Sequence, residues 1–292
     1  MKQLKHVNCF GTSFTDGGGH EFGKRDGDYG KYLKEVYRNK YPNEEQTQFN
    51  FSWPGQLQKL FKENNLNISV INHAKSGYGN ERLFRKTFEI TNSDGFDKNA
   101  HLFLFEFAMG PGRRELWSNT LNDYIITNFH FNEDNDMSLD YHGAANNYFY
   151  DSRKTANTLN KFSEEVISPF YKETVSFKNQ LDVEEMYLSF FIPYLISNDI
   201  NFIITNSPGY HHGFSITKSN DVIIIDDEFG LTTSNFCNFG DSFNFTDYYR
   251  DRVLTIENDT NGKCKDGHMG MNGAKEVSQI LYDRMIELSY FK

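Results

Sequence analysis

The chain has 292 residues, 38% of them hydrophobic, which is enough to bury a substantial core. Its formal net charge is −10, with acidic and basic residues interleaved, which argues against nucleic acid or an anionic membrane as the main partner. Three scattered cysteines, Cys9, Cys237 and Cys264, form neither a disulfide framework nor a Cys-x-x-Cys pair, and no window approaches a membrane span.

The first expected element is a strand over residues 4–10. It breaks at Gly11 into the loop Gly11-Thr-Ser13-Phe-Thr-Asp16, closed by Gly17, Gly18 and Gly19. A hydroxyl just past the end of an early strand sits where open α/β sheets place their chemistry. The start of the chain carries no apolar stretch of signal-peptide length, so a cytoplasmic setting or a place within a larger assembly is expected. His20-Glu21 lacks the second histidine of a zinc-binding helix, and Asp26-Gly-Asp28 reads as a solvated turn. A short helix is expected over residues 31–40. Ser52-Trp-Pro54 then opens a helix, with serine at the cap, proline in the first turn, and Leu57, Leu60 and Phe61 at helical spacing.

A second strand, residues 67–71, leads into Asn72-His-Ala-Lys-Ser-Gly77-Tyr-Gly-Asn80 and a helix over 80–89. A loop that feeds a helix start presents free backbone N–H groups, which suit a developing oxyanion. Residues 101–107 form a third strand, almost continuously apolar, as in a strand buried on both faces. The next loop holds Arg113 and Arg114, either of which is a candidate charged donor or a partner for Glu115. Residues 109–152 read as a loop-rich insertion within one domain of 1–292. Its aromatics Tyr141, Tyr148, Phe149 and Tyr150 suit either a cleft wall or lid packing. Helical pattern dominates from 153 to 197, most clearly over 184–196. A fourth strand follows at 200–205, and His211 and His212 lie in the loop after it without metal-ligand spacing. Residues 222–225 suit a fifth strand or a hairpin. The closing element is Asp266-Gly-His268-Met-Gly, followed by a helix over 272–288 whose apolar face is Val277, Ile280, Leu281, Met285 and Leu288.

Three of these blocks together resemble the SGNH (GDSL-type) esterases. Gly11-Thr-Ser13-Phe-Thr-Asp16-Gly-Gly is similar to the family's Gly-Asp-Ser-Leu-Thr-Asp-Gly-Gly, with Thr12 where that family usually has Asp. Asn72-His-Ala-Lys-Ser-Gly77 resembles its second block, and Asp266-Gly-His268 its last. The third block, Gly-x-Asn-Asp after strand three, has no asparagine counterpart here. The resemblance implies a three-layer α/β/α fold with a mostly parallel, flavodoxin-like sheet. It implies Ser13 as nucleophile, His268 as base, Asp266 as its orienting acid and Gly77 as an oxyanion donor, with Asn80 and Arg113 as further candidate donors. It implies hydrolysis of an acyl ester without metal or cofactor, with a small-molecule or carbohydrate ester as partner. The 28 Phe and 17 Tyr, with the many Asn, Lys and Ile, fit the composition bias of an AT-rich genome; the functional alternative is a surface of rings for stacking on sugars, which tilts the substrate toward an O-acetylated carbohydrate. The alternative is a non-catalytic binding or structural protein on the same scaffold, favoured by Thr12 and by the missing asparagine.

Overall fold

In the computed structural model the described residues are 4–17, 35, 37–75, 79–107, 113–118, 123–131, 137–140, 177–205, 217–219, 222–224, 236–237 and 270–291. Short segments of four and five residues make the main strands, β1 His6–Phe10, β2 Ser69–Asn72, β3 His101–Phe105 and β7 Phe202–Thr205; β3 and β7 are apolar but for one end residue each. With β10, Phe236–Cys237, they form a five-stranded sheet in the order β10-β7-β3-β1-β2. Every pairing in it is parallel. All carboxyl ends therefore share one edge, and β1 lies inside the sheet between β2 and β3.

A parallel sheet must be covered on both faces, because its connections are long and its strands apolar on both sides. On one face Val7, Cys9, Leu102, Leu104 and Ile203 meet Trp53, Leu57 and Phe61 of α3 (Trp53–Glu63) and Ala274, Val277, Leu281 and Met285 of α6 (Met271–Glu287). On the other, Phe10, Phe103, Phe105, Phe202 and Ile204 meet Leu83 and Phe84 of α4 (Asn80–Thr91) and Leu188, Phe191, Ile192 and Leu195 of α5 (Phe177–Ser197). The α/β character expected from the sequence is thus present.

Local contacts fix the direction of the two helices on the first face. α3 starts where the Trp53 indole N–H donates to the Thr15 hydroxyl, just past β1. Midway along it Gln58 reaches the start of β2, donating to the Ile68 carbonyl and accepting from the Val70 amide. α6 follows the same sense: the Ser278 hydroxyl donates to the Trp53 carbonyl, and Tyr282 packs on Phe61 further along both helices. Both helices therefore begin at the carboxyl edge of the sheet.

The stretch expected as a loop-rich insertion carries a separate antiparallel sheet, β4 Arg113–Ser118, β5 Asp123–Phe131 and β6 Met137–Asp140. The physical reason lies in β5, whose Tyr, Ile, Thr and Phe residues suit a pleated surface. β8 Thr217–Ser219 and β9 Val222–Ile224 form a separate antiparallel pair and do not join the main sheet. Within the short helix expected over 31–40, residues 37–40 are helical. No helix among the described residues is long and apolar enough to cross a membrane.

Candidate active site

The carboxyl edge is built from the turn after β1. Phe10 ends the strand, and α1, the single turn Ser13–Asp16, follows after two residues. Its backbone is closed by the Asp16 amide donating to the Thr12 carbonyl at 2.9 Å. Gly17 ends it at φ +81°, a conformation that favours glycine, and any Cβ there would lie 2.8 Å from the Gln48 carbonyl oxygen. Ser13 therefore opens a tight turn at the carboxyl end of an interior strand.

Four elements hold that turn. From β3 comes Glu106, the residue after the strand, buried at 2% exposure, whose amide extends the ladder by donating to the Phe10 carbonyl at 2.9 Å. The Thr12 hydroxyl donates to Glu106 Oε1 at 2.6 Å, and the Thr15 hydroxyl donates to Oε2. From β2, the Asn72 side-chain amide donates to the Thr15 carbonyl at 2.8 Å. From the helical side, Gln48 of α2 (Gln48–Phe51) donates to the Asp16 carbonyl at 3.0 Å, and Trp53 donates to the Thr15 hydroxyl at 3.2 Å. Gly11 leaves the space for this arrangement, since a Cβ there would stand 2.6 Å from Glu106 Oε2.

Of the residues singled out from the sequence, Gly77, Asp266 and His268 lie outside the described residues. For Ser13 and Arg113 the description covers the backbone and not the side chain. Arg113 opens β4, opposite Asn128 of β5, and so stands on a strand where a loop was expected. Asn80 is the first residue of α4 and is buried; the N-cap is Gly79, with extended backbone. Gly270 precedes α6 as its N-cap, two residues after His268 in sequence, and α6 begins on the edge where Ser13 stands.

Sequence reasoning missed Glu106 and His73. Glu106 was absorbed into an apolar strand, yet a lone carboxylate inside a doubly buried run must find partners, and that was its signal. His73 follows β2 directly, its amide donating to the Cys9 carbonyl, and its ring stacks on Phe10 at 4.8 Å. Burial, helped by the positive charges of Arg82 and Lys86, lowers its pKa to about 4, so at neutral pH the ring is uncharged. Its Nε2 lies 3.1 Å from Asn8 Oδ1. Cys9 is no nucleophile, because burial raises its thiol pKa well above the ordinary value. Among the described residues, no group of three or more His, Cys, Asp or Glu is disposed to hold a metal ion. The chain matches no family model, no curated protein and no solved structure.

Proposed function

We propose that the chain is a serine-dependent ester hydrolase of the SGNH (GDSL-type) kind, on a three-layer scaffold of flavodoxin-like strand order. The observation that carries this reading is a shared edge: the Ser13 turn and the start of α6, which follows Asp266 and His268 in sequence, both stand at the carboxyl edge of one parallel sheet. That is where open α/β sheets bind their ligands.

In this reading the Ser13 hydroxyl attacks the acyl carbon while His268 takes its proton, and Asp266 fixes the tautomer of His268. The amides of Ser13 and Gly77 stabilise the oxyanion, with Asn80 and Arg113 as further candidate donors. The alcohol leaves with the proton from His268, and water, activated by the same base, releases the acid from the acyl-serine. The substrate is an acyl ester, and the aromatic content favours an O-acetylated carbohydrate.

A binding or structural role on the same scaffold is the second reading. One observation favours it: the buried carboxylate after β3 accepts from two threonines, and residues 108–117, which follow in the sequence, supply no asparagine to donate to an oxyanion. Labelling with a fluorophosphonate probe, followed by peptide mapping, separates the two readings. Esterase chemistry requires modification at Ser13, lost in Ser13→Ala and suppressed in His268→Ala, with ester turnover falling ~10⁴-fold or more in Ser13→Ala. Well-folded protein that takes no label supports the binding reading.

A further inference from the structure

We propose that Glu106 is the positioning residue of the nucleophile turn, a role that rests on the esterase reading. Thr12 and Thr15 flank Ser13 in the chain, one residue before it and two after it, and their hydroxyls donate to the two oxygens of this one carboxylate. Glu106 itself is fixed by its place directly after β3 and by its amide on the Phe10 carbonyl. The sheet therefore sets where the turn sits and how it is rotated about β1. Trp53 extends the arrangement by donating to Thr15 Oγ1, which links the turn to the start of α3.

An ionised carboxylate only accepts hydrogen bonds, and burying one is costly unless donors face it. Two hydroxyls supply those donors, and in return their own orientations are fixed. Each oxygen of that carboxylate accepts from one threonine hydroxyl. Its contribution is geometric: a nucleophile misplaced by about 1 Å loses ~100-fold in rate.

Thr12→Val keeps the shape of the side chain and removes one donor; Glu106→Gln keeps the length and removes one acceptor. The experiment measures amide hydrogen exchange of peptides covering residues 11–17, together with saturation kinetics of fluorophosphonate labelling, in both variants and in the parent chain. The expected result is faster exchange confined to the turn, and a maximal labelling rate down ~100-fold with the half-saturating probe concentration little changed. Faster exchange with an unchanged labelling rate overturns the proposal, because Glu106 would then be only a structural support. So does a uniform rise across the β1, β3 and β7 peptides. If the parent chain takes no label, the esterase reading fails by itself and exchange alone decides for Glu106. A rise confined to 11–17 upholds its hold on the turn, and unchanged exchange overturns it.

Discussion

Asn8 sits at 1% exposure on β1 with an imidazole on either side, His101 on β3 and His73 after β2. Its amide nitrogen stands 3.1 Å from His101 Nδ1, and its amide oxygen 3.1 Å from His73 Nε2. An amide nitrogen can only donate and an amide oxygen can only accept. His101 Nδ1 must therefore be bare, which makes that ring neutral, and His73 Nε2 must carry a proton, which burial rather than this hydrogen bond limits to the neutral ring. Burial lowers the pKa of both, with the nearby His6 adding to the effect at His101, and Arg82 and Lys86 at His73. The sign of the stability effect follows. In the unfolded chain His73 protonates near 6.5, whereas in the folded chain it does so only at about 4. Between those values the unfolded chain binds more protons, so stability falls as pH drops through that window; above 6.5 the group contributes no dependence. The full difference amounts to ~3 kcal/mol from His73, with His101 adding in the same direction. Urea midpoints should therefore decline from pH 7 to pH 4.5, and the decline should be visibly shallower in His73→Gln, which keeps a donor to Asn8 but cannot titrate. Parallel pH profiles for the two proteins would mean that carboxylates elsewhere carry the whole effect.

Helix α3 shows how a local signal in the sequence becomes structure. Ser52 ends α2 and caps α3: its hydroxyl accepts from the Gly55 amide at 3.3 Å and donates to the Phe49 carbonyl at 2.7 Å. Ser52→Ala should cost ~1 kcal/mol, the ordinary loss for an N-cap. Gly55→Ala makes a sharper test, because two effects oppose each other. Helix propensity alone favours alanine by ~1 kcal/mol. At this position, however, a Cβ would stand 2.6 Å from the Phe49 carbonyl carbon and 3.0 Å from Asn50 Cα, and backbone cannot swing aside. Gly55→Ala should therefore destabilise by more than Ser52→Ala in urea unfolding; a stabilised variant would mean that α2 can move off α3. The Ser-Trp-Pro start was legible because capping is written in adjacent residues. So were β3 and β7, which stand out as runs apolar on both faces, and β1, where Val7, Cys9 and Phe10 mark the strand despite Asn8. β10 was not, since two residues carry no period. The β4–β6 sheet was read as loops because its strands lie among polar turn residues, and only β5 is rich in β-formers. Of the candidate site, the nucleophile turn and its place after β1 were legible, but the Glu106 pairing was not. It joins residues 91 and 94 positions apart, and only strand order brings them together.

At the scale of the whole molecule, the first and last elements depend on each other. β1 pairs with β2 and β3, which follow it within the first part of the chain, but the cover for its Val7 and Cys9 face comes partly from α6 at the far end. Ala274, Val277, Leu281 and Met285 are buried there against α3 and the sheet, and the Ser278 hydroxyl is tied to the Trp53 carbonyl at 2.7 Å. Long-range parallel pairing must be paid in loop-closure entropy before its contacts form, so this sheet gains its last stabilisation only when α6 docks. Leu281→Ala should then cost ~3 kcal/mol, the usual loss for a buried leucine with its cavity. Ending the chain at residue 269 should do more: without α6 the Val7, Cys9, Leu102 and Leu104 face keeps only the α3 part of its cover, and the protein should bind a hydrophobic dye and lose its sharp unfolding transition. A truncated chain that still unfolded sharply would make α6 a separate unit added to an already stable sheet. Activity cannot decide this point, because α6 is also the element that follows the proposed base in sequence, so removing it would unmoor His268 whether or not the sheet survived. The unfolding transition and the dye read the sheet itself, and they alone separate a missing cover from a displaced base.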